Sequence, residues 1–540
     1  MSEIHKLYIS PVTQNLWCTQ VIPDNKYVLV LNLGLRSIRA IVFDHTGKKL
    51  THSWLPVRTF IKDEMVEQDP NEWWSLALRV IDEATTSQEI KDNLEYITVT
   101  SSSCNLVLVD EDKNSLGNSL MVSDKRSLIQ AQQLFEHEPI KYLFDTHNIL
   151  PVSSFLAPKI LWIKDKDPNR FYHTKHFISS DSYLLMKLTN GIIVSDPLNA
   201  EKAFYYMPEN KYPAPLLEYL GLTEKNFPQV KNVGTIIGKI SPELKTLFAF
   251  NQNVSVVLTT YDALASFWGS GALEEGEACI VCGTCSSIRV YSKEGLKQKT
   301  AGLLSQYFEN KNAHVVGGSN NLAGGLLEWA KDAFYQDVYS DNNDYIFGLM
   351  EQEANTSTLG AKGLIFLPYL IGERTPFFDS EVRGMFFGLE RSHNRKDIIR
   401  SIYEAIGFLS WDIITSMERG GVLVRNLRLS GGLGKNELIC QIKADITGKE
   451  VHLLDEVETT ALGCFMLIAS ALGGNETQKV FPTNLSISKR FIPNLDNHIK
   501  YQQLYHLFKK LYKDNKENFK YRNELLKTIN EKRKYEVKNL

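Results

Sequence analysis

Two stretches of the chain share one pattern of apolar and polar positions. From Val30 to Gly47 the sequence reads VLNLGLRSIRAIVFDHTG, which is an apolar strand, a glycine turn and a second apolar strand. From Cys279 to Gly295 it reads CIVCGTCSSIRVYSKEG, with the same order and the same Ser-Ile-Arg after the turn. Glycine turns of this kind bring backbone N–H groups close to a phosphate. The repeat predicts two domains of one α/β plan, each opening with a phosphate-facing hairpin.

Helical and strand patterns alternate around the two hairpins. Apolar residues at helical spacing follow the N-cap candidate Asp69, surround Trp329 and begin again near Lys396. Short apolar runs such as VSVVLTT and AKGLIFLPYL indicate strands. From Tyr501 the sequence is helical and lysine-rich, which predicts a solvated terminal helix, with contact to a partner or an anionic surface as the alternative. The alternation as a whole predicts an α/β protein.

Size and charge limit the kinds of partner that the protein can have. A chain of 540 residues exceeds the size of one hydrophobic core, which predicts two large domains. Its formal net charge of -3 gives no electrostatic reason to expect nucleic acid. The sequence contains neither an apolar run of the ~18 residues that span a bilayer nor a signal-like N-terminus. The sequence therefore predicts no membrane partner and a cytoplasmic location.

The cysteines do not form a recognisable framework. Seven in a chain of this length are few and odd in number, which is typical of a reducing compartment. Cys279, Cys282 and Cys285 are spaced like part of a metal site, but no nearby Cys or His completes a pattern. We interpret the three as small residues of a strand and its turn.

Three further segments carry a resemblance to a known family. LTTYDALASFWGSGALEEGEACIVCGTCSS places Asp262 in a small-residue turn after an apolar strand. IGERTPFFDSEVRGMFFGL comes next along the chain, and LSGGLGKNELICQIKADITGKEV joins a Gly-Gly turn to a helix. Taken in order, the segments resemble the FGGY carbohydrate kinase family, which includes xylulokinases, gluconokinases, glycerol kinases and ribulokinases. The resemblance extends from about Tyr27 to Lys510.

The resemblance implies a fold and a domain arrangement. The fold is α/β, with two ribonuclease-H-like (actin-like ATPase) domains that flank a central cleft. The divisions are an N-terminal extension (1–26), a first domain with the sugar site and catalytic base (27–273), a nucleotide-binding second domain (274–480) and a C-terminal segment with the charged tail (481–540). ATP and Mg²⁺ would bind between the domains, a small carbohydrate would be the other partner, and a homodimer is the expected assembly.

The resemblance also assigns roles to single residues. Asp262 matches the base that takes the proton from the attacking sugar hydroxyl, although its position alone is equally typical of a helix cap. The residues expected to bind ATP and its phosphates are Gly34, Ser37, Arg39, Gly283, Thr284, Gly324, Gly431, Gly432 and Asn436. Those expected to bind the sugar, together with Asp262, are Asp124, Arg126, Ser103 and Cys104.

The first phosphate turn departs from the family pattern Asp-x-Gly-Thr-Thr-Ser. Asn32 replaces the Asp that helps to hold the hydration shell of Mg²⁺, and Leu35 and Arg36 replace the two threonines. Asn32 keeps one carbonyl oxygen for a metal-bound water, and losing an outer ligand typically costs about 10- to 100-fold. Arg36 either neutralises phosphate charge or faces solvent. On the sugar side, SSSCN stands where xylulokinases resemble GQMHG, which leaves the sugar open.

Two functions follow from these features. The first is an active ATP-dependent kinase for a sugar, sugar acid or polyol of the xylulose or gluconate type, which Asp262 and the glycine turns favour. The second is a catalytically impaired pseudokinase that binds sugar or regulates a partner, which Asn32 and Leu35 favour. The residues favour the kinase because the candidate base is retained.

Overall fold

The computed structural model describes residues 22–23, 25–147, 152–298, 300, 302–308, 312–338, 343–455, 458–472, 485 and 487–538. Most of the expected N-terminal extension lies outside them. The strands are β1 Tyr27–Leu33, β2 Ser37–Phe43, β3 Lys49–Pro56, β4 Phe60–Lys62, β5 Met65–Gln68, β6 Leu94–Ser101, β7 Val107–Val109, β8 Ser119–Leu120, β9 His176–Ile178, β10 Val194–Ser195, β11 Gln229–Val230, β12 Ile236–Lys239, β13 Ser255–Val257, β14 Glu277–Cys282, β15 Ser286–Ser292, β16 Leu304–Phe308, β17 Ala313–Asn320, β18 Ile365–Leu367, β19 Met385–Phe387, β20 Asn426–Ser430, β21 Glu450–Leu454 and β22 Ile487–Phe491.

The helices are α1 Pro70–Ala84, α2 Gln88–Asn93, α3 Leu128–Glu136, α4 Glu138–His147, α5 Leu156–Lys166, α6 Pro168–His173, α7 Ser180–Leu188, α8 Pro197–Ala200, α9 Ala214–Leu220, α10 Pro242–Leu247, α11 Asp262–Gly269, α12 Gly324–Phe334, α13 Asn343–Thr356, α14 Arg395–Arg419, α15 Glu437–Thr447, α16 Thr459–Leu472 and α17 Leu495–Lys538. Short 3₁₀ turns cover Glu201–Ala203, Met207–Glu209, Glu224–Asn226, Ala361–Gly363 and Gly432–Lys435. Within the part of the chain that the structure describes, no helix is both long enough and apolar enough to cross a membrane.

Two large sheets share one strand plan, as the repeated hairpin predicts. The first has the order β12-β13-β6-β1-β2-β3 and the second β16-β17-β15-β14-β20-β21-β22. In the first, β1 lies antiparallel to β2 and parallel to β6. In the second, β14 lies antiparallel to β15 and parallel to β20. The α/β class and the two-domain, actin-like architecture are therefore confirmed.

The first sheet is covered on both faces, which explains the continuous apolar run of β1. Leu29 and Leu31 pack in the core that contains Trp73 of α1, whereas Val28 and Val30 pack in the core that contains Phe465 of α16. Helix α1 begins where the sequence predicts it, because the Asp69 side chain accepts a hydrogen bond from the Asn71 backbone N–H at 2.8 Å.

Helices α11 and α16 cross at two glycines. A Cβ built at Gly463 would lie 1.7 Å from the Ala265 carbonyl oxygen, and one at Gly269 would lie 1.8 Å from the Thr459 carbonyl oxygen. Beside this crossing, the Ser266 and Thr459 hydroxyls are 2.8 Å apart. Helix α16 lies between β21 and β22 of the second sheet in the chain but packs against the first sheet. The two halves of the chain are therefore joined here backbone to backbone.

The C-terminal helix differs from the prediction. Helix α17 begins at Leu495, and four of its apolar side chains are buried in the core of the second domain: Tyr501, Phe508, Leu511 and Phe519. The Tyr501 hydroxyl also accepts a hydrogen bond from Arg400 at 2.9 Å. The expectation of a solvated helix is wrong for this part of α17, because apolar residues at helical spacing stand among the lysines that dominate its composition.

Candidate active site

Asp262 lies at the start of α11, next to the loop that follows β6. The N-cap position of this helix belongs to Tyr261, so Asp262 is not the cap. Its Oδ2 accepts a hydrogen bond from the Ser102 hydroxyl at 2.8 Å. Sequence reasoning did not select Ser102, although the hydroxyl run from Ser101 to Ser103 was the available signal. The serine fixes the orientation of the carboxyl group.

The surroundings of Asp262 favour its protonated form. Burial raises the pKa of the Asp262 carboxyl, and the hydrogen bond from Ser102 and the charge of Arg289 oppose that rise. A carboxylate with a raised pKa is a stronger proton acceptor. The hydrogen bond from Ser102 keeps that carboxylate in one orientation. The arrangement is chemically suited to general-base catalysis.

The Asp124 carboxylate is buried and accepts hydrogen bonds from neighbouring residues. Its Oδ2 accepts hydrogen bonds from the Val66 backbone at 2.9 Å and from Arg126 Nη2 at 2.7 Å, and its side chain is 0% exposed. Arg126 also donates to Glu67 at 2.6 Å and lies over the Trp162 ring, 4.5 Å from its centroid. Asp124 thus positions Arg126, and the expectation that its carboxylate also holds sugar hydroxyls stays a prediction.

The loop that contains Ser103 and Cys104 is fixed from below by a buried lysine. Lys159 Nζ donates to the carbonyl oxygens of Cys104 at 2.6 Å and Met121 at 2.7 Å. Burial lowers the pKa of Lys159 to about 8. Cys104 has a positive φ of 67° and is buried, whereas Ser103 is partly exposed. The hydroxyl of Ser103 is thus the group of this pair that is available to a ligand.

The predicted glycines divide into two groups. A Cβ at Gly283 or Gly432 would meet no atom of the described residues within 4 Å, so both backbones face open space. Gly34 is similar, with only the Ser37 carbonyl oxygen at 3.5 Å. By contrast, a Cβ at Gly324 would lie 2.6 Å from the Gly283 carbonyl oxygen, and one at Gly431 2.6 Å from that of Cys282. The first group leaves room for a phosphate, and the second lets the backbone segments pack together.

The turn between β14 and β15, which the sequence predicts to face a phosphate, is hydrogen-bonded to the start of α12. Thr284 is exposed, and its carbonyl oxygen accepts from the backbone N–H of Ala323 at 2.8 Å and Gly325 at 3.0 Å. The turn closes on itself through the Gly283 N–H, which donates to the Cys285 carbonyl oxygen at 2.9 Å. The Thr284 hydroxyl is therefore presented on a fixed loop.

The arginines of the first hairpin both reach acidic residues from the second half of the chain. Arg39 donates to both oxygens of Glu458 at 3.1 Å, and Arg36 donates to both oxygens of Glu328 on α12 at 3.1 and 3.0 Å. Ser37, between them, is buried. The Arg36 and Glu328 side chains are 69% and 42% exposed, so solvent screens this pair strongly. Arg36 thus lies mostly in solvent while pairing with Glu328, and its alternative role of neutralising phosphate charge stays a prediction.

Asn436 holds the end of a helix. Its Oδ1 accepts from the Ile439 N–H at 2.9 Å as the N-cap of α15, and its Nδ2 donates to the Tyr403 hydroxyl at 3.2 Å. Both ends of the amide are therefore engaged within the protein.

Asn32 lies at the end of β1 and is buried, and its Oδ1 has no hydrogen-bond partner among the described residues. An unpaired buried acceptor is costly and rare. Its chemistry fits a water bound to a metal–nucleotide complex.

The three neighbouring cysteines do not converge. Cys279 and Cys282 of β14 belong to separate hydrophobic cores on opposite faces of the second sheet. Cys285 lies in the turn, where its Sγ is 3.1 Å from the Asn321 carbonyl oxygen.

The sequence matches two protein-family models along most of its length. The N-terminal-domain model of the FGGY family of carbohydrate kinases matches residues 27–269, and the C-terminal-domain model matches 278–472. The chain belongs to the FGGY family of carbohydrate kinases. The two FGGY matches begin at β1 and β14, the first strands of the two repeated hairpins.

Relatives of this FGGY chain carry several substrate names. A xylulose kinase of Staphylococcus epidermidis is 26% identical over 91% of this chain and 97% of its own length. A glycerol kinase of Shewanella baltica is 28% identical over 88% and 96%. The crystal structure of a gluconate kinase from Lactobacillus acidophilus superimposes with a TM-score of 0.82 at 22% identity, covering 91% of this chain and 98% of that one. The gluconate kinase structure shares the fold of this chain.

The pH dependence of the free energy of unfolding is expected to come partly from Asp196, a buried residue hydrogen-bonded to Thr260. Its Oδ1 accepts from the Thr260 hydroxyl at 3.0 Å, its Oδ2 is buried without a partner in the described structure, and burial together with Asp181 raises its pKa to about 7. The unfolded chain ionises this group near 3.8 and the folded chain near 7, so the free energy of unfolding should fall as pH rises between those values, by at most about 1.4 kcal/mol per pH unit. Asp196→Asn should reduce that slope.

Urea denaturation at several pH values measures this effect. Burial raises the pKa of Glu373 to about 7 as well, so part of the slope should persist in the variant. Asp82→Asn, at an exposed position of α1, is the matched control. An Asp196→Asn slope equal to that of the control would contradict the assignment.

Proposed function

We propose that the protein transfers the γ-phosphoryl group of ATP to a hydroxyl of a sugar, sugar acid or polyol, with Asp262 as the general base. The observation that carries the proposal is the Asp262 carboxyl, which is oriented by Ser102 at 2.8 Å and whose pKa is raised by burial. In phosphoryl transfer the protein mainly positions the reactants and stabilises charge. Asp262 would accept the proton of the attacking hydroxyl as the O–P bond forms and ADP leaves.

The glycine turns of both domains supply the phosphate side of this proposal. Gly34, Gly283 and Gly432 leave space above the backbone, and the Thr284 hydroxyl stands beside one of those spaces. Backbone N–H groups in such turns donate to phosphate oxygens. Mg·ATP is the substrate that fits this arrangement, with the unpaired Oδ1 of Asn32 as an acceptor for one of the metal's water molecules.

The direct test is ADP release by the full chain with Mg·ATP and a panel of ketopentoses, aldonates and polyols. The relatives act on xylulose, glycerol or gluconate by name, and all three compounds belong in the panel. Turnover that requires one acceptor supports the kinase. Absence of acceptor-dependent ADP release across the panel would refute it.

A second candidate, the pseudokinase, is favoured by the first phosphate turn. Asn32 lacks a negative charge. Arg36, in the same turn, donates a hydrogen bond to Glu328 of α12 at 3.0 Å. Such a protein would bind sugar without transferring phosphate. Calorimetry separates the two functions: an active kinase should bind ATP more tightly when Mg²⁺ is added, and a pseudokinase should show no such dependence.

Asn32→Asp is expected to raise activity. The new carboxylate would restore a negative charge beside the metal-bound water, and a ligand of this outer kind is typically worth about 10- to 100-fold in affinity or activity. Steady-state kcat/KM for Mg·ATP is the measurement. Asn93→Asp, at the end of α2, is a matched control remote from the hairpin turns.

A lower kcat/KM for Asn32→Asp than for the unmodified chain would contradict this role. The buried position also predicts a cost, because an added carboxylate without a metal complex is desolvated. The variant should therefore unfold at a lower temperature alone and regain stability when Mg·ATP is added.

A further inference from the structure

Two cationic side chains near Tyr261, the residue before Asp262, have no role in the proposed catalysis. Lys202 is 3% exposed, and its Nζ has no hydrogen-bond partner in the described part of the chain. Its nearest recorded anion is Glu201 Oε2 at 3.6 Å. Arg289 forms no hydrogen bond or ion pair with any described residue, although it is partly buried. Buried or half-buried cations are normally paired, so both require an explanation.

The network around Tyr261 places Lys202 at the candidate site. Its Nζ lies 5.8 Å from the centroid of the Tyr261 ring, and Tyr261 immediately precedes Asp262. The Tyr261 hydroxyl donates to Gln306 Oε1 at 2.5 Å, and Gln306 Nε2 donates to Glu201 Oε2 at 2.6 Å. The carboxylate nearest to Lys202 is thus already engaged by Gln306.

Strand register places Arg289 on the same side of the second sheet as Gln306. Arg289 pairs with Gly317, and Gln306 pairs with Val315, which is two residues away on β17. Residues two apart on a strand share a face, so Arg289 and Gln306 both face Tyr261. Gly317 leaves room for the arginine, because a Cβ there would lie 2.8 Å from Arg289 Cγ.

Arg289 also lies close in sequence to the turn between β14 and β15. It is on β15, which begins three residues earlier at Ser286, directly after the turn. Its charge acts on the Asp262 carboxyl, whose pKa burial raises and Arg289 lowers. The register of Arg289 and the contact of Lys202 with the Tyr261 ring place both cations around the residue that precedes Asp262. Neither cation has a hydrogen-bonding partner among the described residues.

We infer that the phosphoryl acceptor carries a compact anion, a carboxylate or a phosphate, which Arg289 and Lys202 bind. This inference rests on the proposed function and narrows its substrate class to a sugar acid or sugar phosphate. A planar guanidinium binds such a group with two parallel hydrogen bonds. A neutral polyol would bring no negative charge to either cation, which disfavours it.

The test compares acceptors that share one polyhydroxy carbon chain and carry a carboxylate, a phosphate or no anionic group. Calorimetry measures binding to the Asp262→Asn variant, so that no turnover occurs. The compounds titrated are D-gluconate, D-glucitol and D-glucitol 6-phosphate, and the equivalent sets of other chain lengths. An acid or phosphate should bind more tightly than its neutral match by about 10- to 100-fold, the usual value of a hydrogen bond to a charged group. If gluconate binds more tightly than glucitol 6-phosphate, the acceptor is a sugar acid, and the reverse order indicates a sugar phosphate.

The second arm repeats the titrations with Arg289→Leu or Lys202→Met added. Each change should remove most of the preference for the anion and leave binding of the neutral compound nearly unchanged. Arg79→Gln, at an exposed position of α1, is the control and should leave the preference intact. Equal binding of charged and neutral compounds, or failure of both to bind, would overturn the inference.

A separate outcome identifies a different role for Arg289. If Arg289→Leu in the otherwise unmodified chain lowers kcat equally for charged and neutral acceptors and shifts the pH profile, the arginine positions the base and the inference is wrong. If the unmodified chain turns over no acceptor but anions still bind more tightly than neutral compounds, the proposed kinase activity is refuted and the anion site is supported.

Discussion

Replacing Asp262 with Asn is expected to lower kcat by about 10²- to 10⁴-fold, the usual contribution of a general base. The amide keeps the shape of the carboxyl group and can still hydrogen-bond with Ser102, now 2.8 Å from Oδ2, but it cannot accept the proton of the attacking hydroxyl. Steady-state ADP release with the best acceptor of the panel measures the loss. Asp82→Asn on the exposed face of α1 should retain full activity.

Stability separates a catalytic from a structural role for Asp262. Because burial raises the pKa of this carboxyl, ionisation opposes folding, and its removal should leave the unfolding temperature unchanged or higher. For the same reason kcat/KM of the unmodified chain should rise with pH as Asp262 ionises. An Asp262→Asn variant that retains turnover, or one that loses it only because it unfolds, would contradict the assignment.

Gly463→Ala is expected to cost about 3 kcal/mol or more in the free energy of unfolding, at the upper end of the usual penalty for overpacking. The added methyl would lie 1.7 Å from the Ala265 carbonyl oxygen and 2.8 Å from the Gly269 nitrogen. Both are backbone atoms of α11, so no flexible side chain can move aside. The two helices would have to separate, and with them the contact between the two halves of the chain.

Gly348→Ala is the matched control for this effect. Gly348 lies within α13, and a Cβ there would meet no described atom within 4 Å. The same chemical change should therefore stabilise the protein by about 0.5–1 kcal/mol, because alanine favours a helix over glycine. Denaturant unfolding of both variants gives the comparison. A Gly463→Ala variant as stable as Gly348→Ala would show that the helices do not meet as described.

The family fold was predictable from the sequence, whereas the state of single site residues was not. The repeated hairpins gave the plan of both sheets, since strand alternation and glycine turns are local patterns. For example, the sequence does not show that Asp124, expected to bind the sugar, is buried and hydrogen-bonded to Arg126. Which hydrogen-bond donors a carboxylate meets depends on the tertiary surroundings, and no local pattern in the sequence records them.

The sequence by itself determined the α/β class, the two related domains, the FGGY resemblance and the position of Asp262 at the head of a helix. Tertiary structure alone decided which distant residues meet. Arg36 and Glu328 pair across 292 positions, and Arg289 comes to face Tyr261 only through the register of three strands. Local periodicity reflects which side of an element is buried, but the partner on the other side is chosen by how the elements pack.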